Sequence, residues 1–474
     1  MNKYKKLINN SIVFAIGNFG SKLMQFIMVP LYSFALTTSD FGKVDVLTTM
    51  VSLMALAICL DMTDAVFRFA LDKANNNTKV FSIGFCVVII ASVFSILLSI
   101  PLKKILPTYP IIYAAVLLSF TMFNSLVSNF TRAIGYVKHF AAAGIINTLV
   151  MGLLNVVLLI LFHMGMAGYM ISMITGLAVA TLYLICACSL YKYISVKFFD
   201  KKLFREMCKY SLPLIPNGLA WWLNSASDRI FIVSMMSSGA NGIYAMANKI
   251  PNMLSMLTNI FFQSWQISAV EEYNDKDSKQ FISNVFASFL SFMFLGALLI
   301  LMIIKPLFGL IIDKSYFIGW RLTPFLLLSI IYSSIASFLG TIYTATKNTM
   351  PVFTTTVCGA FINIIMTILL IPILGLTGAA LANIVSFGVV SILRLRDIIK
   401  VDKIKIGFQK VLLLHVIYIL SSIVTLLVNN YIVTLIFIIC FILLQCILDK
   451  ESKQMLMLVV TIIQTHIVKV RKLL

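Results

Sequence analysis

The chain has 474 residues, of which 60% are hydrophobic and only 11% charged, against about 25% charged in soluble domains; a soluble globular protein is excluded. The net charge of +20 raises nucleic acid as a partner, but the basic residues are spread through short breaks between apolar runs. That is the signature of membrane topology, and it excludes a nucleic-acid-binding stripe.

A hydrocarbon core of ~30 Å takes about 20 apolar helical residues per crossing. Fourteen such stretches can be laid along the sequence, predicting an all-α integral membrane protein with about 14 transmembrane helices. The first spans residues 11–35. Lys3, Lys5 and Lys6 precede it, and its length and the lack of a small-x-small site after it predict a retained span, not a secretory signal. Ser11, Asn18, Lys22 and Gln25 share one of its faces. Span 2 (44–66) contains Asp61 and Asp64, with Arg68 just beyond; Asp64 and Arg68 are four apart and spaced to pair. Spans 3 to 6 (80–100, 110–131, 140–162, 167–190) are apolar, with Arg132 closing the fourth.

After the basic segment 191–210, span 7 (211–235) repeats a polar face with Asn217, Trp221, Asn224 and Asp228, and adds Arg229. Span 8 (243–265) carries Asn248, Lys249, Asn252, Ser255 and Asn259, with Gln266 following. Pro213, Pro216 and Pro251 sit early in these two spans, as bending points or as ordinary span-start prolines. Spans 9 to 12 (281–304, 321–344, 351–373, 376–393) are followed by a basic loop and by spans 13 and 14 (410–428, 430–448), almost wholly apolar. Lys347 lies between spans 10 and 11, and the stretch from 449 is a basic tail.

With both termini inside, 28 of the 37 Lys and Arg fall on inside segments and six on outside ones. The excess predicts an even number of spans and cytoplasmic termini in a multi-pass protein of the cell membrane. The longest outer connection, about Lys305 to Trp320, is too short for a domain.

Motifs recur at an offset of about 200 to 210 residues. Thr37-Thr-Ser-Asp-Phe-Gly42 returns as Ser237-Ser-Gly-Ala-Asn-Gly242, Gly165-Met-Ala-Gly168 as Gly375-Leu-Thr-Gly378, and Asn155 as Asn363. This predicts two parallel six-helix lobes, 1–190 and 211–394, joined by the linker 191–210. A cytoplasmic loop (395–409), spans 13 and 14 (410–448) and a cytoplasmic tail (449–474) complete the expected organisation.

Polar residues facing acyl chains are costly. The repeated faces are therefore expected either to bond helix to helix or to line a watery cavity between the lobes. Among the charged positions, Lys22, Arg68, Arg229 and Lys249 are candidate cations for an anionic substrate, while Arg68, Arg132 and Lys347 also fit interfacial anchors. Asp61, Asp64 and Asp228 are candidate ion-coupling groups, or halves of internal ion pairs. The sequence lacks a phosphate-binding GxxxxGK[ST] loop, an HExxH motif and zinc-type cysteine spacing. A transporter without cofactor or metal is expected, not an enzyme.

The segments Lys6-Leu-Ile-Asn-Asn-Ser11, Asp64-Ala-Val-Phe-Arg68, Ser227-Asp-Arg229, Gly242-Ile-Tyr-Ala-Met-Ala-Asn-Lys-Ile-Pro251 and Phe262-Gln-Ser-Trp-Gln266 resemble the polysaccharide repeat-unit flippases (Wzx/RfbX-like) of the MATE-related MOP exporter superfamily. The resemblance implies two six-helix lobes plus two C-terminal helices, with a cavity between spans 1, 2, 7 and 8. It also implies an undecaprenyl-diphosphate-linked oligosaccharide as substrate, held near its diphosphate by Lys22, Arg68, Arg229 and Lys249. Membrane lipids, and polysaccharide polymerase and assembly proteins, are the implied partners. A MATE-type drug or cation exporter, a lipid II flippase and a polysaccharide polymerase are the competing readings.

Overall fold

A computed structural model describes residues 26–72, 75–195, 200–272, 278–345, 350–400, 404, 407–454 and 457. Among them there is no strand. The helices are α1 (Phe26–Ala35), α2 (Thr38–Ile58), α3 (Met62–Ala70), α4 (Asn77–Ile105), α5 (Ile111–Ala133), α6 (Val137–Asn155), α7 (Gly165–Ala187), α8 (Lys201–Ser211) and α9 (Leu214–Ala226). They continue with α10 (Asp228–Met235), α11 (Ser238–Lys249), α12 (Pro251–Glu272), α13 (Ser278–Ile311), α14 (Thr323–Ala345), α15 (Met350–Leu374), α16 (Leu376–Lys400), α17 (Phe408–Leu427) and α18 (Tyr431–Leu448).

Eleven of the described helical segments are long and apolar enough to cross a membrane. They match expected spans 2 to 6 and 9 to 14. Spans 7 and 8 are each represented by two helices, α9 with α10 and α11 with α12, and of span 1 only Phe26–Ala35 is described. Span 2 is likewise interrupted. Leu60 (φ 54°) and Asp61 (φ 50°) adopt the left-handed conformation and separate α2 from α3.

Helix ends follow capping chemistry rather than hydrophobicity. Thr37 Oγ1 accepts the Asp40 N–H (3.1 Å) and Ser237 Oγ accepts the Ala240 N–H (3.0 Å), so α2 and α11 begin several residues before their apolar runs. Asn76, Asp200 and Asn430 cap α4, α8 and α18 in the same way. Gly165 (φ +53°), the first residue of α7, and Gly375 (φ +58°), just before α16, both adopt the left-handed conformation.

The described residues up to Met246 together with Asn363–Leu376 form one compact unit; Ala247–Ile362 and the chain from Thr377 onward form another. In the first, Phe81 and Phe130 (ring centroids 4.5 Å apart) pack with Met62, Val66 and Leu126. In the second, Trp265 stacks on Phe338 (4.6 Å) beside Phe289, Met293 and Leu327, and its Nε1–H donates to Thr341 Oγ1 at 2.7 Å. Here α17 and α18 pack on α13, burying Ser421, Thr425 and Gln445 while Leu412, Leu427, Ile432 and Ile447 face outward.

Arg394, expected at the edge of an inside loop, is instead buried within α16, which runs on to Lys400. Its Nε–H donates to Thr355 Oγ1 (2.9 Å), Nη1 to the Ala336 carbonyl (2.7 Å), and Nη2 to the Val352 carbonyl (3.1 Å) and Thr356 Oγ1 (2.9 Å). A guanidinium with that many acceptors can be buried between helices, so α16 has no reason to end there.

Candidate functional site

The N-terminal turns of α2 and α11 cross at two glycines exactly 200 residues apart. A Cβ at Gly42 would collide with the Ser238 carbonyl oxygen, and a Cβ at Gly242 with the Thr38 carbonyl oxygen. The contact is reciprocal: each glycine admits the backbone of the opposite helix. Only residues without a side chain allow two helix backbones this close. Asn241 lies buried in the crossing and donates its Nδ2–H to the Gly42 carbonyl at 2.9 Å, while Tyr109 Oη and Ser238 Oγ lie 3.4 Å apart at its edge.

One turn further along, the crossing is fastened by charge. Arg229 donates from Nε to Asp45 Oδ2 (2.9 Å) and from Nη1 to Asp228 Oδ1 (3.4 Å). Asn241 Nδ2 also reaches Asp45 Oδ2 (3.4 Å), and Tyr244 Oη donates to Asp228 Oδ2 (2.5 Å). Two carboxylates thus share one guanidinium, with an amide and a phenol stabilising the excess negative charge. Trp222 Nε1–H donates to the Thr49 carbonyl (3.2 Å), joining α9 to α2. The repeat-related asparagines extend the pattern: Asn155 Nδ2 donates to Tyr32 Oη on α1 (3.0 Å), and Asn363 Oδ1 accepts from Ser227 Oγ before α10 (3.3 Å).

Among the residues singled out in the sequence, Asp228 and Arg229 lie in this cluster, and Asn224 is buried nearby in sequence on α9. Asp45, Asn241 and Tyr244 belong to the cluster and were missed. Asp45 is an acid inside an expected span, and Asn241 and Tyr244 flank the repeated Gly242; those were the available signals. Asp61 is buried at the left-handed break.

Asp64 does not pair with Arg68. Its Oδ1 accepts from Asn129 Nδ2 (3.3 Å), whose Oδ1 accepts from Arg132 Nη2 (3.3 Å), and the Arg132 guanidinium lies over the Phe67 ring (4.2 Å). Arg68 is exposed and forms no ion pair with any described residue. On α11 and α12, Asn248 and Lys249 are half-buried, while Asn252, Asn259 and Gln266 are exposed at seven-residue spacing on one face of α12. Asn18, Lys22, Gln25 and Lys347 lie outside the described residues, as does the side chain of Asn217. Among the described residues no group of three or more His, Cys, Asp or Glu could hold a metal ion.

The chain aligns in structure with the lipid II flippase MurJ in an inward closed conformation at a TM-score of 0.71 and 16% identity, covering 94% of this chain and 100% of that one. It also aligns with a multidrug resistance MATE family transporter of the MOP superfamily in its inward-facing conformation, at a TM-score of 0.65 and 12% identity, covering 81% and 96%. A MATE transporter ClbM in complex with Rb+ gives 0.54 at 13% identity, covering 82% and 94%. These likenesses establish the fold. No curated protein sequence matches the chain. The sequence matches the polysaccharide biosynthesis protein family over residues 7–266, more than half its length. The chain therefore belongs to that family, as a multi-pass membrane protein with many apolar helices and a MATE/MurJ-like fold.

Proposed function

We propose that the protein translocates undecaprenyl-diphosphate-linked oligosaccharide repeat units from the inner to the outer leaflet of the cytoplasmic membrane, for capsule, O-antigen or exopolysaccharide synthesis. Both termini are cytoplasmic in this reading, and transport proceeds by alternating access. The observation that carries it is the crossing of α2 and α11: repeat-related helix ends closed on each other by glycine contacts and one small ionic cluster. Such a closure has few bonds and can be undone as a unit, as a gate requires.

Lys22, Arg68, Arg229 and Lys249 are assigned to the substrate diphosphate, with Asn18, Gln25, Asn217, Asn224, Asn248, Asn252 and Asn259 supplying the polar face of the path. Arg229 is held by Asp45 and Asp228. A diphosphate reaching it competes with those carboxylates for one guanidinium, so substrate arrival and release of the crossing are coupled. Asp61, Asp64 and Asp228 remain the candidates for ion coupling. Outward movement of an anionic lipid is also favoured by the membrane potential, by about 2.3 kcal/mol per charge per 100 mV.

Reconstitution in liposomes with a fluorescent polyprenyl-diphosphate oligosaccharide tests the assignment. Wild type exposes label on the far face. Arg68→Ala slows this severely while its thermal unfolding stays unchanged, because Arg68 has no described ion pair to lose. Efflux of a cationic dye without movement of any diphosphate-linked sugar would instead identify a drug exporter.

A further inference from the structure

A second cationic site lies in the unit that contains α13, α14, α17 and α18. Lys305 on α13 and Arg321, just before α14, flank the largely buried indole of Trp320, with Lys305 Nζ 4.6 Å and Arg321 Cζ 5.8 Å from the ring centroid. Lys305 also donates to the Val428 carbonyl (2.5 Å), and Asn429 and Tyr431 complete the polar wall of a cavity of about 800 Å³. Leu310, Phe317 and Ile318 form its apolar wall and are exposed.

Neither cation is neutralised by a described carboxylate. Asp313 is the sole acid in the segment 305–321, and its Oδ1 accepts the Ser315 N–H (2.9 Å) and hydroxyl (2.6 Å) as a helix cap. Two positive charges on one indole repel each other in a partly dehydrated site. A cation pair beside exposed aliphatic groups and two aromatic residues, at the ends of membrane-length helices, matches an amphiphile with an anionic head and an apolar tail. A soluble anion would leave the apolar wall without a role.

We propose that this cavity binds the phosphate of a lipid headgroup at the membrane interface, Lys305 and Arg321 contacting the phosphate oxygens and the Leu310, Phe317 and Ile318 wall contacting the acyl or prenyl chain. The charge asymmetry of the sequence puts this end of the helices on the outer side. The site belongs to a different compact unit from the α2–α11 crossing and does not depend on what the protein transports. The phosphate has two sources, a bulk anionic phospholipid or a polyprenyl diphosphate.

The full-length protein in detergent is titrated with phosphatidylglycerol, phosphatidylcholine or undecaprenyl diphosphate, and bound lipid is counted by native mass spectrometry. Wild type binds phosphatidylglycerol in preference to phosphatidylcholine, and more weakly at high salt. Affinity falls roughly 30-fold in Lys305→Ala/Arg321→Ala, the effect of two interfacial cations, and is retained in Lys305→Arg/Arg321→Lys. Displacement of phosphatidylglycerol by substoichiometric undecaprenyl diphosphate assigns the site to the polyprenyl lipid; displacement only at parity or above assigns it to bulk phospholipid. Equal binding of the two phospholipids by wild type would overturn the proposal, as would inorganic pyrophosphate competing as well as any lipid. So would unchanged lipid binding by the folded alanine variant.

Discussion

Replacing Gly42 with alanine sets two effects of opposite sign against each other. Gly42 is the fifth residue of α2, and in a helix interior alanine is favoured over glycine by about 0.8–1.0 kcal/mol. If the crossing were incidental, Gly42→Ala would steady α2 and slow amide exchange there. The new methyl, however, falls on the Ser238 carbonyl and lies 2.7 Å from the Gly242 amide nitrogen. Both are backbone atoms that cannot rotate aside, so the helices must separate. Overpacking of this kind costs about 1–3 kcal/mol, shifting closed against open by roughly 5- to 150-fold. Separation also strains the Asn241–Asp45 contact (3.4 Å), which joins the same two helices. Hydrogen–deuterium exchange in lipid nanodiscs should therefore speed up in both 38–48 and 238–248, although only one was altered. Gly242→Ala, whose methyl meets the Thr38 carbonyl, should reproduce the pattern, and the double variant should cost less than the sum because one contact is lost twice. Slower exchange in α2 with no change in α11 would refute the argument.

Two further outcomes follow from the charged groups. Arg229→Met strands the buried Asp228 and the partly buried Asp45 without their cation, at about 3–5 kcal/mol, whereas Asp45→Asn leaves Arg229 paired with Asp228. Arg229→Met should thus unfold at markedly lower temperature than Asp45→Asn, and adding Asp45→Asn to Arg229→Met should recover part of the loss; additive losses would dissolve the cluster as a unit. At the end of α18, burial alone would raise the Asp449 carboxyl. Hydrogen bonds from Lys410 (2.8 Å) and from the hydroxyl and backbone N–H (3.1 Å) of Ser452 outweigh it and hold the group at about 2. The folded value lies below the unfolded one of about 3.9. The stabilisation is therefore complete above about pH 4 and disappears as the pH falls through about 2. Asp449→Asn should lower the unfolding temperature at pH 7 and show a shallower loss between pH 4 and 2; an unchanged acid limb would mean that Asp449 contributes nothing.

Hydrophobic length made the membrane class and most spans readable, because nothing but lipid explains so many apolar runs with so few charges. It misplaced the ends, because helices start where a hydroxyl can cap them and continue wherever polar groups find partners. Thr37 and Ser237 start α2 and α11 early, and Arg394 lets α16 run on by drawing acceptors from α14 and α15. The left-handed pair Leu60 and Asp61 carries no glycine or proline to announce it. Hydropathy cannot see a break made by backbone geometry alone.

The recurring motifs at residues 37–42 and 237–242 held more than was taken from them. A parallel repeat relates equivalent positions by a rotation, and equivalent positions near the axis are the ones that meet each other. Gly42 and Gly242 are then required to be small together, since each must admit the other's helix. The asymmetric part is what duplication cannot supply. Asp45 has no acidic counterpart at 245, where the chain has alanine, and Arg229 has none at 29, where it has valine. The ionic fastening was added to one side of a symmetric crossing. Its partners are 184 residues apart in the chain, so neither betrays the other until the helices are brought together. The paired glycines bring the two helices together, and the unrepeated charges of Asp45 and Arg229 fasten them.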